Sequence, residues 1–125
     1  MRQYLREMAE PRSSEPVVLL NEVFPGDTNA LDTLFGGRLM SIMDTAAGMA
    51  ASQFAHNEFV TVSVDALKFK RPAYQGDVIR TIARVVWTSR RTVGVLVRSD
   101  LLLVLGLLAE LDLALGLEVG VLQVL

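Results

Sequence analysis

Cysteine is absent from the chain, and histidine occurs only once, at His56. Without cysteine there can be no disulfide bond, no thiol nucleophile and no thiolate metal site. A single histidine also excludes a histidine-rich metal cluster. These absences remove the chemistry of thiol enzymes and of common zinc sites, so we expect neither a bound metal nor a cofactor.

A strong charge of either sign is also missing, because 12 Lys and Arg residues nearly balance 14 Asp and Glu residues. The formal net charge of −2 gives no basis for non-specific binding to nucleic acid. Residues 1–16 are polar and charged and contain no apolar core of a secretory signal. Acidic residues interrupt the leucine-rich C-terminal segment, which argues against a membrane span there. We therefore expect a cytoplasmic protein with neither a nucleic-acid nor a membrane partner.

Apolar residues, in contrast, make up 51% of the 125 residues. A chain of this length is typical of one domain. We divide it into a flexible N-terminal arm, residues 1–16, and a single domain, residues 17–125. Because the apolar fraction is large for so short a chain, we expect part of the apolar surface to be buried between subunits.

The stretch 27–55 is the segment around which the rest of the sequence is organised. A polar loop leads into Gly36 and Gly37, and a long, largely apolar helix follows with Asp44 in its middle. Apolar residues recur on every side of this helix, which predicts burial all round. A buried carboxylate must be paired, hydrogen-bonded or functional. The residues alone leave two interpretations open: Asp44 is bonded to nearby backbone or to Ser41, or it is a functional acid facing a cleft.

The spacing within this helix favours the functional interpretation. Gly37 and Asp44 are seven residues apart, which is two turns, so they lie on roughly one face. The glycine pair at the helix start exposes backbone N–H groups at the positive end of the helix dipole, where an oxyanion can be stabilised. A carboxylate further along the same face can deprotonate a water molecule. These are the parts of a carbonyl hydrolase that has no covalent nucleophile.

Five other segments have the composition or the alternation of β-strands. They are Val17–Phe24, Phe59–Lys70, Val78–Thr88, Thr92–Arg98 and residues 111–121. In the second of them the valines at alternate positions from Val60 share one face, which we expect to be buried. One strand, one long helix and then a series of strands predict an α+β fold, with the helix packed across an antiparallel sheet.

Two motifs in the sequence carry a resemblance to a known family. The first is DTNALDTLFGGRLMSIMDTAAG, and the second, VTVSVDALKFKRPAYQGD, extends the similarity to about Val97. In this register DTN, FGG and MD resemble the signature of hot-dog-fold acyl-CoA thioesterases of the bacterial YciA type and the brain acyl-CoA hydrolase group. The resemblance implies the hot-dog fold, in which an antiparallel sheet wraps a long central helix.

The resemblance also implies an activity and an assembly. The expected reaction is hydrolysis of acyl-CoA to a free fatty acid and CoA, with Asp44 as general base and the N–H of Gly37 in the oxyanion hole. Taken alone, Asn29 is an ordinary turn residue, but in the family the asparagine of this motif helps to hold the thioester or the attacking water. Family members form dimers with sites shared between subunits, commonly assembled into a hexamer as a trimer of dimers.

A third set of residues is expected to bind the substrate. The pantetheine arm of CoA in similar proteins lies along the strand that corresponds to Val60–Ser63, held by backbone hydrogen bonds. Basic residues at the strand ends are either an ordinary solvated rim or a cradle for the CoA phosphates, for which arginine is well suited. The residues assigned to substrate binding are Gly36, Thr61, Val62, Ser63, Arg71, Arg90 and Arg91.

The chain departs from the family pattern in two places. Asp32 stands where the family commonly has glycine, and residues 101–125 contain neither Lys nor Arg and are atypical of the family. No site is assigned to that C-terminal segment. The alternative functions are a noncatalytic acyl-CoA-binding hot-dog module and a thioester-processing dehydratase. The dehydratase would need a histidine, and His56 lies outside the motif.

Overall fold

A computed structural model of the chain describes residues 15–102 and 115–124, and for residues 65–68 and 115–124 it describes the backbone. The elements follow the chain in the order strand, helix, then four strands, with a short 3-10 turn at Pro25–Asp27. They are β1 Val17–Glu22, α1 Gly36–Ala55, β2 Phe59–Lys68, β3 Val78–Thr88, β4 Thr92–Leu102 and β5 Leu115–Val124. The expected α+β class is confirmed.

The five strands form one sheet in the order β1-β3-β4-β5-β2, and every neighbouring pair is antiparallel. Strand β2 follows the helix in sequence but lies at the edge of the sheet, beside the last strand. Its other edge therefore carries backbone N–H and C=O groups that have no strand partner among the described residues.

Helix α1 packs on one face of the sheet through its small and branched side chains. The buried residues of the helix are Leu39, Ile42, Met43, Ala46, Ala47, Ala50 and Ala51. The prediction that the helix is buried all round is wrong for the single chain, because the sheet covers one side and leaves the other exposed. On that open side Met40 is 43% and Met49 is 47% exposed.

The valine face of β2 was also assigned wrongly. The expected burial of the alternate valines is not found, since Val60, Val62 and Val64 are all exposed, with Val62 at 55%. The opposite face of the strand is the one that meets the helix, through Phe59 and Thr61. Alternation identified the strand but could not show which of its two faces meets the helix, because the period of two is the same for both faces.

Four of the five strands begin at the predicted residue, but only Val78–Thr88 also ends there. Strand β2 ends at Lys68 instead of Lys70. Strand β1 ends at Glu22 instead of Phe24, because the backbone of Val23 bonds to Asp77 and the chain then enters the 3-10 turn. Strand β4 continues past Arg98 to Leu102, because the ladder with β3 runs to the pair Val78–Leu102.

The two ends of the chain are only partly within the described residues. Strand β5 covers Leu115–Val124, whereas the prediction was residues 111–121, of which 111–114 lie outside the described residues. The predicted arm, residues 1–16, lies outside the described residues apart from Glu15 and Pro16. The division of the chain at residue 17 therefore stays a prediction.

Candidate active site

The open side of helix α1 carries the two residues predicted to work together. Gly37 and Asp44 are both exposed, so the stripe that they share runs along the side of the helix away from the core. Met40 and Ser41 lie between them and are exposed as well. Two turns of helix separate the glycine from the acid, which is about 10 Å along the axis. The shared face is as predicted, but the carboxylate is not embedded in the core.

The Asp44 carboxylate has one hydrogen-bond partner among the described side chains. The hydroxyl Oγ1 of Thr61, in β2, donates a hydrogen bond to Oδ1 of Asp44. Ser41 was considered as a partner, but its backbone carbonyl instead accepts a bond from the Thr45 hydroxyl at 2.9 Å. The contact fixes the carboxylate against the edge strand and leaves the second oxygen, Oδ2, available. Thr61 was assigned to substrate binding, and the structure adds a bond that the sequence had not indicated.

The start of helix α1 leaves two amide donors unpaired. The N-cap residue, Phe35, makes no side-chain cap, and its carbonyl accepts bonds from the amides of Arg38 at 3.0 Å and Leu39 at 3.2 Å. The amides of Gly36 and Gly37 have no hydrogen-bond acceptor within the described ranges of the chain. Because the first amides of a helix have no partner inside it, these two can bind an external oxygen.

The absence of a side chain at Gly37 keeps its amide accessible. A Cβ atom built there would lie 2.6 Å from Cε1 of Phe35, so the aromatic ring already occupies that space. At Gly36 a Cβ would lie 3.3 Å from Cζ of Phe69, which is a tight contact. Both glycines therefore allow aromatic rings to approach the backbone at the helix start.

Asn29 closes the loop that leads into the helix. Its Oδ1 accepts bonds from the amides of Leu31 at 2.9 Å and Thr33 at 3.2 Å, and its Nδ2 donates to Oγ1 of Thr33 at 2.8 Å. This is the turn chemistry that asparagine alone predicts. One hydrogen of the side-chain amide has no acceptor among the described residues. No contact between Asn29 and Asp44 is found within the described part of one chain.

Asp32 adopts a left-handed backbone conformation, with φ of 60°. Its amide bonds to the carbonyl of Asn29 at 3.0 Å, which keeps the turn closed. Aspartate tolerates this region better than most residues, and glycine adopts it without strain. The conformation explains physically why glycine suits this position in the family that the motif resembles, and why aspartate can replace it.

A cavity of about 340 Å³ lies beside the helix start. Gly36 and Arg71, both assigned to substrate binding, are in its wall. The full lining consists of Thr33, Leu34, Gly36, Leu39, Phe69, Arg71, Pro72 and Ala73. It is mainly apolar with one cation, which suits a ligand with an apolar part and an anionic part.

The other two arginines lie at the opposite end of the sheet. Arg90 and Arg91 form the tip between β3 and β4, next to Thr92, which pairs with Gln123 of β5. Gln123 in turn pairs with Val60. Strand β2 is 10 residues long, about 33 Å, and Arg71 follows its far end. Within one chain, therefore, Arg71 and the arginine tip do not share a site.

The backbone of β2 is irregular at the segment assigned to pantetheine. Thr61 pairs with Leu122 and Ser63 with Val121, so Val62 is the extra residue of a bulge. A bulge next to an edge leaves backbone groups outside the ladder, where a ligand or another strand can reach them. Thr61, Val62 and Ser63 thus lie at an accessible edge beside Asp44.

The C-terminal end of the helix lies outside this stripe. His56 ends the helix in a left-handed conformation, and its amide bonds to the Ser52 carbonyl at 2.8 Å. Among residues 15–102 and 115–124 no group of three or more His, Asp and Glu side chains is arranged to hold a metal ion. In the same ranges no helix has both the length and the apolar composition needed to cross a bilayer.

A long helix on an antiparallel sheet, with a threonine-bound carboxylate and unpaired amides on one helix face, is the arrangement of a thioester-processing hot-dog protein. The model of the thioesterase superfamily matches residues 31–98, which include the helix and strands β2 and β3. The chain therefore belongs to the thioesterase superfamily.

Curated relatives are similar over the same region. The chain is 39% identical over 82 residues to the uncharacterised acyl-CoA thioester hydrolase YkhA of Bacillus subtilis, covering 66% of this chain and 48% of that protein. It is 40% identical over 79 residues to the acyl-CoA thioester hydrolase YciA of Escherichia coli, covering 63% of this chain and 60% of that protein. The chain thus spans about half to three fifths of the length of these relatives.

Solved structures confirm the hot-dog fold. An acyl-CoA hydrolase from Staphylococcus aureus, in complex with butyryl-CoA and CoA, matches with a TM-score of 0.80 and 29% identity, over 88% of this chain and 65% of that one. A hexameric acyl-CoA thioesterase matches with a TM-score of 0.77 and 28% identity, over 88% and 69% of the two chains. The S. aureus enzyme has also been solved with an alanine in place of an aspartate, an asparagine or a threonine.

Proposed function

We propose that the protein hydrolyses acyl-CoA thioesters to a free fatty acid and CoA. The observation that carries the proposal is the stripe on helix α1: a carboxylate held by Thr61, on the same exposed face as the unpaired amide of Gly37. The first group suits a general base, and the second suits an oxyanion hole. The curated relatives described above are named acyl-CoA thioester hydrolases, which supports the same reaction.

In the proposed mechanism Asp44 removes a proton from a water molecule, and the oxygen of that water attacks the thioester carbonyl carbon. The carbonyl oxygen becomes an oxyanion, which the N–H of Gly37 stabilises at the positive end of the helix dipole. The tetrahedral intermediate collapses, the carbon–sulfur bond breaks, and the CoA thiolate leaves with the proton held by Asp44. The bond from Thr61 keeps the carboxylate oriented throughout.

Asn29 is proposed to position the water or the thioester through the side-chain amide hydrogen that its own loop leaves unused. It makes no contact with Asp44 within the described part of the chain, so we propose that the two come from different subunits. In the S. aureus enzyme an aspartate, an asparagine and a threonine were each replaced by alanine. Asp44, Asn29 and Thr61 are residues of the same three types, which supports the roles proposed for them.

A dimer is proposed because the site is open in a single chain. Exposed apolar side chains lie on both elements that supply the Asp44–Thr61 pair: Met40 and Met49 on the open side of the helix, and Val60 and Val62 on the outer side of the edge strand. A second copy packed on the helix and along this edge would exclude water from the carboxylate, which strengthens its electrostatic interactions. A hexamer built as a trimer of dimers is proposed from the hexameric thioesterase that shares the fold.

We propose that two parts of the protein bind CoA. The backbone of Thr61, Val62 and Ser63 holds the pantetheine arm, and arginines neutralise the phosphates. Because Arg71 and the tip Arg90–Arg91 lie at opposite ends of one sheet, they serve one ligand only if different subunits supply them. A cytoplasmic location and independence of any cofactor remain predictions.

The test is release of free thiol from a panel of acyl-CoAs of increasing chain length, followed with a thiol-reactive dye. We expect thiol release that saturates with substrate, at kcat of the order of 1–10³ s⁻¹ on the preferred chain. Binding of acyl-CoA without thiol release would refute hydrolysis and favour the noncatalytic module. The panel also measures the acyl-chain preference.

A further inference from the structure

The single tryptophan of the chain lies on a glycine at the arginine end of the sheet. Trp87 of β3 pairs with Gly94 of β4, next to a bulge after Val85. A Cβ atom built on Gly94 would collide with the indole atoms Nε1 and Cε2, so the ring lies directly on the glycine backbone. The glycine is buried beneath the ring while Trp87 itself remains 41% exposed. One face of the indole is therefore fixed, and the other is open.

This ring lies on the outer face of the sheet. Gly94 lies between Val93 and Val95, which are both part of the core under the helix, so the Trp87–Gly94 pair points the other way. A large aromatic side chain over a glycine is a known way of completing a sheet, and by itself it needs no ligand. Two exposed arginines lie near the ring, at the tip of the same hairpin.

The tip of the β3–β4 hairpin presents two arginines on a rigid turn. The amide of Ser89 bonds to the Thr92 carbonyl at 2.8 Å, and the two side-chain hydroxyls bond to each other. Arg90 and Arg91 lie between them, exposed, and neither guanidinium has an ion pair or hydrogen bond with the described residues. Trp87 is two residues from the turn, about 7 Å along the strand.

The register connects this tip to the catalytic stripe. Leu122 of β5 pairs with Thr61 on one side and with Val93 on the other. Val93 is the neighbour of Gly94 in β4, so the Trp87 row lies three strands from Thr61, about 14 Å across the sheet. The two side chains lie on opposite faces of the sheet, because Thr61 bonds to the helix on the inner face. The long pantetheine arm separates the thioester of an acyl-CoA from its nucleotide, so one ligand reaches both places by passing around the end of the sheet at the arginine tip.

We propose that Trp87 stacks on the adenine of the substrate while Arg90 and Arg91 bind its phosphates, so that the hairpin is the nucleotide subsite for acyl-CoA. The inference rests on the proposed function and adds the recognition of the base. Aromatic rings bind bases through their faces, and paired arginines bind phosphate oxygens in a bidentate manner. A ring held flat beside two unpaired arginines matches a base and its phosphates, which are separated by one ribose.

The chain reports on this contact itself, because Trp87 is its only tryptophan. Titration of the intact protein with CoA and with adenosine 3′,5′-bisphosphate should quench the indole fluorescence. Pantetheine, which has no base, should leave the fluorescence unchanged. The bisphosphate should also inhibit thiol release in competition with acyl-CoA. An unchanged fluorescence at CoA concentrations that saturate the enzyme would overturn the proposal.

A free nucleotide could supply the same chemistry, and a further titration separates the two sources. We expect AMP to quench the indole only at concentrations at which it also competes with acyl-CoA. Quenching by AMP without competition would overturn the assignment to CoA and identify a site for a free nucleotide. Thiol release by the unaltered protein tests the proposed function separately. Quenching without thiol release would therefore leave the subsite standing and remove the hydrolase.

Two variants measure the contribution of the ring to substrate binding. Trp87→Leu should raise KM for acyl-CoA about tenfold, with a much smaller effect on kcat, because stacking of one base is lost. Trp87→Phe should recover most of the loss. Leu96→Ala is the matched control, because it removes an exposed apolar side chain two residues along β4 from Gly94, and its KM should stay within about twofold of the unaltered protein. Equal KM values in all three variants would contradict the proposal.

Discussion

Among the described side chains, Thr61 alone holds the Asp44 carboxylate in position. This carboxylate is exposed in the single chain and accepts a hydrogen bond from Thr61 on the neighbouring edge strand. A carboxylate on a helix surface can otherwise adopt several rotamers. The bond selects an orientation in which one oxygen is occupied and the other is left for a water molecule. We therefore regard Thr61 as a positioning residue for the proposed base.

Replacing Thr61 by valine removes the donor while it keeps the size of the side chain. We expect Thr61→Val to lower kcat about 10–100-fold, which corresponds to the loss of one hydrogen bond to a charged group. KM should change little, and Thr61→Ser should recover most of the activity because its hydroxyl can donate. Steady-state thiol release measures both constants. A loss in KM alone would instead indicate that Thr61 acts only in substrate binding.

Asp32 provides a stability prediction that does not depend on the reaction. Its φ of 60° is unfavourable for a β-branched residue, so Asp32→Val should lower the free energy of unfolding by about 1–2 kcal/mol. Asp32→Gly is the matched control and should be close to neutral, because relief of backbone strain offsets the larger entropy loss of glycine. Denaturant unfolding of the two variants provides the comparison. Equal stability would show that the turn does not hold this conformation in solution.

At the scale of elements, helix α1 divides into a core face and a functional stripe. The core face is built largely from alanine and short branched residues, which bring the helix close to the sheet. The exposed face combines Gly37, Asp44 and two methionines. One element thus supplies both the packing and, in the proposed mechanism, the oxyanion donor and the base. Two turns of helix, about 10 Å, separate these groups, so we propose that the Gly37 amide of one subunit acts together with the Asp44 carboxylate of the other.

Gly48 lies on the exposed side of this helix with open space where a side chain would be. Apart from its chain neighbours and the backbone of its own helix, no atom of the described residues lies within 4 Å of a Cβ built there. We expect Gly48→Ala to raise the free energy of unfolding by about 0.5–1 kcal/mol, because alanine is the better helix former. The measurement is chemical denaturation at fixed protein concentration. A rise in stability would place Gly48 beside the second copy that we propose over the exposed stripe, and destabilisation would place it beneath that copy.

The sequence was sufficient to predict the helix and the strands, and to predict which residues share one face of the helix. It predicted that the helix starts at the glycine pair and gave β3 its observed bounds, because glycines and alternation are local signals. It also placed Gly37 and Asp44 on one helix face, which follows from the helical period. The bond from Thr61 to Asp44 could not be predicted in this way, since it joins residues 17 apart through the position of β2 in the sheet.

Burial was the property that sequence patterns predicted least well. The all-round apolar helix and the valine face of β2 were both expected to be buried, yet both present exposed apolar residues in the single chain. Hydrophobicity reports that a surface avoids water, but not whether the same chain or a second one covers it. The early expectation that apolar surface is buried between subunits agrees with these exposed residues and stays a prediction.

At the scale of the whole molecule, the proposed site requires two chains. Asn29 lies in the loop before the helix, bonded within that loop, and makes no contact with Asp44 in the described part of the chain. Arg71 and the arginine tip are likewise at opposite ends of the sheet. A second copy that covers the exposed stripe would bring the missing partners to each site.

Mixing two inactive variants tests this shared site. Asn29→Ala and Asp44→Ala chains should each be nearly inactive alone, and together they should recover part of the activity. In a mixed dimer one of the two sites has both residues intact, so random mixing at equal amounts should restore about a quarter of the wild-type activity if each dimer has two sites. Thiol release is measured after refolding the chains together. Confirmed mixed dimers without recovered activity would contradict shared sites.

The proposed mechanism depends most directly on the role of Asp44 as the base. The decisive measurement is kcat for thiol release by Asp44→Asn, with CoA binding to the same variant measured by calorimetry. We predict that kcat falls by about 10²–10⁴-fold, the usual contribution of general-base catalysis, while the affinity for CoA stays within about threefold because the change leaves size and the Thr61 contact nearly intact. Wild-type kcat in this variant would contradict the mechanism.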